Sequence, residues 1–437
     1  MARTRIQGCD SDRHLVITMD CMIQTVPPLP KECCIYKVPE RLRSVNKECY
    51  TPQVVSIGPL HHGQENLMPM EAHKIRYLHL CLQKNSNISL NDCVKLMRGL
   101  EEKARTYYNE DHFNCSFSSD KFVKMMLLDG IFILEFFLLG FNTEEENKCD
   151  PVFNSKSLFG SVFHDTLLLE NQLPYFVLQS LFDLINGEDN QRTTHTFHSL
   201  TLHNSGLLLK VAQIDKPTWS NYQVKHFLDL LLGYYLPLEP ENPPENTEEL
   251  IFLPSATELR ASGVKFRKSM SNSLLDIQFT NGVLEIPPLH VHESTEYRMR
   301  NLIAMEQCNG GSTSYVTDHT IIIDFLINTP DDVALLQSSG IIVNWLGSKE
   351  EVSEMFNKLG KGVITGSKPS HYYSLVQNVN GYCKEQWHVW NRILKRDYLD
   401  NPWTIISLGA AVFLLVCTCV QAVCSIISVL PKKQHGQ

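Results

Sequence analysis

Residues 403–430 read WTIISLGAAVFLLVCTCVQAVCSIISVL, with no charged side chain and with Gln421 as the one strongly polar member. A hydrocarbon core about 30 Å thick takes roughly 20 apolar residues in a helix, so the run predicts a membrane-spanning helix over 402–430. Asn401-Pro402 supplies a helix start, Trp403 suits the interface, and Lys432-Lys433 closes the segment. Leu408, Phe413, Leu415, Val420 and Leu430 are the apolar positions expected against lipid. A buried core helix is the rival, and a run this long with no polar stripe speaks against it. The expected fold is therefore predominantly α, an α+β chain with a small β-hairpin. It comprises a helical globular body, one C-terminal transmembrane helix and a short tail at 431–437. A lipid bilayer is the first expected partner.

The remaining chain is long enough for real cores, and its composition (43% hydrophobic, 20% charged) is that of a folded protein. A net charge of −9 and the lack of a basic stripe interleaved with aromatics argue against nucleic acid as a partner. The first twenty residues lack the apolar core of a signal peptide. Membrane insertion then falls to the C-terminal run, a tail anchor. Lys384, Arg392, Lys395 and Arg396 upstream, against Lys432 and Lys433 downstream, favour a cytosolic body, with the plasma membrane as the expected site. The sequons at Asn87 and Asn114 make the opposite topology testable. The 14 cysteines contain no C-x-x-C pair, so neither a zinc ribbon nor a redox motif is indicated.

Along the chain, 1–30 reads as a flexible lead-in ending in Pro27-Pro28-Leu29-Pro30. The first half of the body, 31–236, starts irregularly and then turns helical. Helices are expected over Met70–Gln83, with Ile75, Leu78 and Leu82 on one face, and over Leu90–Tyr108, with Val94, Met97 and Leu100 inward. Lys121–Gly140 is apolar nearly all round and predicts a central core helix. A second membrane span is the rival reading, but Asp129 and Glu135 would each cost about 2.5–3.5 kcal/mol at a bilayer centre. Asp165–Pro174 (DTLLLENQLP) leads into a helix over Tyr175–Ile185, whose first amides Asn171 or Gln172 could satisfy. His195, His198 and His203 follow in a polar loop, then a buried helix over Phe227–Tyr235.

The stretch 237–249, with four prolines, five glutamates and no basic residue, reads as an acidic surface loop. The second half, 250–400, is well punctuated. Ser255 with Glu258 and Ser348 with Glu351 are capping boxes, and Gly263, Gly340 and Gly360 are stops. Thr280-Asn281-Gly282 between apolar runs signals a hairpin. Helices are expected over Ser294–Gln307, Tyr315–Ile327, from Pro330, and over Ser370–Arg396.

Catalytic signatures for phosphate loops, dinucleotide binding, zinc proteases and nucleophile elbows are absent from the sequence. His61, His62, Glu71 and His73 are metal-competent types, but adjacent histidines diverge on any regular element. The spacing of His195, His198 and His203 does not put all three on one helical face. Asp129 and Glu135 lie about 240° apart on a helix and form no dyad. Asp165 and Glu170 flank an apolar run, so they must be paired or solvated; Arg76, Arg98, Arg260 and Arg300 are available partners. No cofactor, metal or catalytic residue is expected. If the chain is an enzyme, His61, His62, Glu71, Asp129, Asp165 and Glu170 are the candidate pocket.

The motif set also resembles a known family. Tyr50–Gly63 (YTPQVVSIGPLHHG), Met70–Leu78, Asp129-Gly130 with Glu135-Phe136, Asp165–Pro174, Pro254–Phe266, the hairpin LLDIQFTNGVLEIPPL and Arg300–Cys308 are similar to those of the plant domain-of-unknown-function 247 family. The resemblance covers roughly residues 33–430. It implies a plant protein at a membrane, with some grass relatives linked to pollen self-incompatibility, and no general biochemical activity. The expected function is a membrane-tethered recognition or signalling protein with a protein or peptide partner. An enzyme of unfamiliar type and a membrane-attached scaffold are the alternatives.

Overall fold

The computed structural model describes residues 6–25, 32–108, 117–141, 150–187, 196–201, 223–233, 236, 252–271, 273–309, 314–364, 370–385 and 402–429. The acidic stretch 237–249, His195 and His203 lie outside the described residues. Most described elements are helices, joined by five short strands.

The expected lead-in contains a helix, α1 (Ile6–Thr25). Leu15, Met19, Met22 and Ile23 project from it largely exposed. After an irregular stretch with one helical turn at Glu40–Arg43 come α2 (Pro69–Lys84), α3 (Leu90–Arg105) and α4 (Ser119–Phe141). As predicted, α4 is the core of the first half: Phe122, Ile131, Phe132, Phe136 and Phe137 are all essentially inaccessible. Helices α2, α3 and α6 (Tyr175–Ile185) pack around it. Helix α5 (Lys156–Thr166) adds Phe159 and Phe163 to a cluster of aromatic rings centred on Phe136. Burying such rings contributes about 1.5–3 kcal/mol each before entropic costs.

The buried face of α2 differs from the expected one. Ile75 is exposed, and the inward residues are Met70, Lys74, Tyr77 and Cys81. An i, i+4, i+7, i+11 stripe is the better helical face; a lysine within it hides the pattern from a hydrophobicity reading.

Gly130 sits where α4 meets α6, and a Cβ there would collide with Leu181 Cδ1. Gly130→Ala is expected to lower stability by about 1–3 kcal/mol through overpacking, read as a fall in the urea midpoint without a change in slope.

The second half begins beyond α7 (Phe227–Gly233) with α8 (Ala256–Ala261), held by the Ser255–Glu258 capping box. Strands β1 (Lys265–Lys268), β2 (Gln278–Thr280) and β3 (Val283–Ile286) form a sheet in the order β1-β3-β2. The hairpin β2–β3 turns at Asn281-Gly282, both at positive φ (50° and 77°), the backbone a two-residue turn requires. The parallel pairing of β1 with β3 was not foreseen, nor was the two-stranded parallel sheet of β4 (Leu289–Val291) and β5 (Ile342–Asn344). Three- and four-residue strands carry too little periodicity to read.

Helix α9 (Glu293–Cys308) is the hub of this half, with α10 (Tyr315–Leu326), α11 (Pro330–Ser338) and α12 (Lys349–Leu359) packed beside it or one another; α13 (Tyr373–Lys384) covers β2. Residues from both sides of 237–249 share one buried core.

The C-terminal run forms α14 (Pro402–Val429). The expectation of a transmembrane helix is overturned: among the described residues, no helix is long and apolar enough to cross a membrane. Of the expected anchor residues, Phe413, Leu415 and Val420 are more than half exposed. The side chains of Trp403 and Leu408, and all of Leu430, lie outside the described residues.

Candidate functional site

Five of the six sequence candidates line one buried polar seam, and the sixth does not join it. The seam forms where the extended segment 53–58 crosses the DTLLLENQLP loop between α5 and α6. Its backbone amides are captured one after another by buried side chains. Asp165 accepts from Gln53, Val54 and Val55 (2.7, 2.8 and 2.9 Å), Asn171 from Ile57 (2.7 Å) and Asp129 from Gly58 (2.8 Å). Asp165 and Asn171 are completely inaccessible. A segment flanked by prolines, with no strand neighbour among the described residues, needs side-chain acceptors for its buried N–H groups.

Lys74 approaches from α2. It is fully buried and reaches Asp129 Oδ1 at 2.6 Å, Glu71 Oε1 at 2.5 Å and the Ser56 carbonyl at 2.7 Å. Burial by itself would lower its pKa, but Asp129 and Glu71 beside it outweigh this and hold the ammonium above its ordinary value. Burial pushes Asp129 upward, against the pull of Lys74 and Gly58. Both of its oxygens face donors, so the arrangement accommodates the charged pair.

Glu170 closes the far end. It accepts from the Val38 amide (2.6 Å), pairs with Arg43 Nη2 (2.6 Å) and faces His61 Nε2 (3.0 Å). Burial would raise it, yet His61, Arg43 and the Val38 amide together hold its carboxyl below the usual range. Gln64 meets the other ring nitrogen of His61 at 2.9 Å.

His62 is exposed, its ring 5.5 Å from that of Phe117, and takes no part. Glu135 is buried on α4. Asn171 and Gln172 do not cap α6, contrary to expectation. Asn171 bridges Val55 and Asp165 carbonyls while accepting from Ile57, and Gln172 holds Thr166, Leu168 and the Leu228 amide. Arg43, Lys74, Asn171 and Asn301 were not singled out as site residues. Asn301, on α9, accepts from the Leu169 amide and donates to the Cys49 carbonyl, tying the two halves together. Only Lys74 carried a readable signal, as a charge inside an apolar helical stripe.

Chemically, the seam has almost all its donors and acceptors committed to protein partners, and its acids are buried. Among the described residues, no group of three or more His, Cys, Asp or Glu side chains is placed to hold a metal ion. An open cleft of about 290 Å³ lies elsewhere, between residues 45–46, the first turn of α9 and one face of α12. It is lined by Glu293, Glu296, Glu351 and Glu354 among others, and holds none of the six candidates.

Three further buried titratable groups set a pH response in the second half and its border. His319 on α10 is 3% exposed with neither ring nitrogen bonded, and burial lowers its pKa to about 4. His226 is lowered to about 4 for the same reason, partly offset by Asp229. A base whose folded value lies below its unfolded 6.5 adds stability above that pH and loses it as pH falls toward 4. Glu306, raised to about 7 by burial although Thr317 and Val316 donate to it, acts oppositely: its contribution is lost as pH rises from 4.5 to 7. His319→Leu is expected to stabilise the chain by about 1–2 kcal/mol at neutral pH, because an unbonded buried ring is removed. The gain should widen toward pH 4, measured by urea unfolding across a pH series. A constant difference would show that His319 does not titrate on unfolding.

The fold and seam together define a mostly helical α+β class in which an extended segment is strapped to a buried acidic loop. The stretches that form it (50–63, 70–78, 129–136, 165–174 and 300–308) are those that carry the family resemblance. The chain belongs to the DUF247 family, described as a plant protein of unknown function, whose model matches residues 35–417. It is similar to the UPF0481 protein At3g47200 of Arabidopsis thaliana, 31% identical over 93% of this chain and 89% of the relative. It is also similar to the putative UPF0481 protein At3g02645 of the same plant, 23% identical over 89% of each chain. No solved structure matches it.

Proposed function

We propose that this chain is a non-enzymatic recognition protein that binds a protein or peptide partner through its surface, with the buried seam serving to hold that surface in shape. The observation that supports the reading is where the carboxylates go. Asp165, Asp129 and Glu170 are at most 4% exposed and accept from the backbone amides of residues 38, 53–55 and 58. A catalytic acid or base must reach a substrate proton; these groups are occupied by their own chain.

The test is to incubate the purified chain with a plant metabolite extract and follow all ions by mass spectrometry, beside cross-linking in plant cells. The expected result is no metabolite consumed or formed relative to heat-treated protein, together with a stoichiometric cross-linked protein partner. A turnover that disappears in His61→Ala, with thermal unfolding unchanged, would overturn the reading in favour of an enzyme.

A further inference from the structure

We propose that the open edge of strand β1, Lys265–Lys268, is a docking site for an extended acidic segment of a partner protein, which adds to the sheet as a further strand beyond β1. This rests on the reading of the chain as a recognition protein and names the chemistry of the partner.

β1 is an outer strand of the sheet β1-β3-β2. Its inner side is fixed by the bonds from Lys265 N to the Gly282 carbonyl and from Ser269 N to the Ile286 carbonyl (2.8 and 2.9 Å). Backbone direction alternates along a strand, so the amides and carbonyls of Phe266 and Lys268 face away from β3. Among the described residues no strand pairs with them. Phe266 is half-buried and anchors the strand, while Lys265, Arg267 and Lys268 are exposed. Arg267 pairs with Glu285 on β3, whereas Lys265 and Lys268 have no carboxylate partner among the described residues.

Unpaired strand groups call for another strand, and the basic side chains decide which one. A second copy of β1 would set lysine and arginine against each other, and like charges across a pair are destabilising. The same charges attract an acidic strand, in the manner of peptide addition to an exposed sheet edge. A net charge of −9 on the whole chain makes this basic edge a local exception rather than part of a general anion surface.

The experiment uses the full chain and a short fluorescent peptide alternating glutamate with valine, read by anisotropy. Two control peptides carry lysine for glutamate, or N-methyl groups on alternate backbone nitrogens. Binding is expected for the acidic peptide alone. It should weaken about tenfold or more in the double variant Lys265→Glu, Lys268→Glu, and similarly in Lys268→Pro, which removes one outward amide while leaving the β3 ladder intact. Thermal unfolding of each variant checks the fold; the N-methylated peptide tests strand addition on the unaltered protein. Absence of binding, equal binding of the lysine peptide, or binding indifferent to N-methylation would each overturn the proposal. A silent peptide with the cross-linked partner still present would remove the β1 edge and leave the recognition reading in place.

Discussion

Replacing Asp165 with alanine is expected to cost about 4 kcal/mol or more, a large share of the 5–15 kcal/mol by which domains are stable. The change leaves the amides of Gln53, Val54 and Val55 without their acceptor, and His164 loses the carboxylate 2.9 Å from its Nδ1. An unsatisfied buried donor costs about 1–3 kcal/mol, and Val55 is fully inaccessible, so water cannot readily replace the lost oxygen. Urea unfolding of the full chain measures the loss. Asp165→Asn keeps one acceptor oxygen and sets an NH₂ group against an N–H, so it should fall between wild type and alanine. A loss below about 1 kcal/mol for the alanine variant would mean that the strap relaxes to other acceptors, and that the seam is not what holds it.

Lys74→Met should be comparably damaging, about 3–5 kcal/mol, because it strands Asp129 as an unpaired buried charge and frees the Ser56 carbonyl. The informative measurement is the cycle with Asp129→Asn. That side chain still offers an oxygen to the Gly58 amide but carries no charge, so the double variant should recover most of the loss, with a coupling of about 2 kcal/mol or more. The pH dependence gives a second readout. Without Lys74, burial and the neighbouring charge of Glu71 raise the Asp129 carboxyl, opposed by the Gly58 amide. A carboxyl raised in the folded state contributes stability below its unfolded value and loses it as pH rises. Lys74→Met should therefore be least harmful in acid and worsen toward neutrality. Additive single effects would show that Lys74 and Asp129 do not act as a pair.

Both predictions concern groups whose neighbours could not be read along the chain. Asp165 and Glu170 were recognised as carboxylates that must be paired or solvated beside the LLL run, and arginine was the expected partner. For Glu170 an arginine is indeed present, though it is Arg43, from the irregular stretch near the N-terminus. Asp165 instead takes three backbone amides, and backbone amides leave no mark in a sequence because nearly every residue has one. Asp129 forms no dyad with Glu135 on its own helix, and the partner it does have, Lys74, comes from a different helix. His61 and His62 show the same limit from the other side: adjacent and identical in type, one faces Glu170 inside the seam and the other is exposed.

What was local could be read directly. The apolar run of α4, the helix Tyr175–Ile185 after Pro174, the Ser255–Glu258 box and the Asn281-Gly282 turn depend on residues within a few positions of one another, and each stands where the pattern put it. Side-chain periodicity, capping and left-handed turn preference act over one or two turns of chain, so neighbouring residue types suffice to specify them. The strap at 53–58, the lysine inside the core and the bridge from Asn301 to Leu169 and Cys49 join positions from 18 to more than 200 residues apart. Which buried acceptor meets which donor was settled by packing alone, because each such bond stabilises only when the surrounding core excludes water and brings both groups to hydrogen-bonding distance.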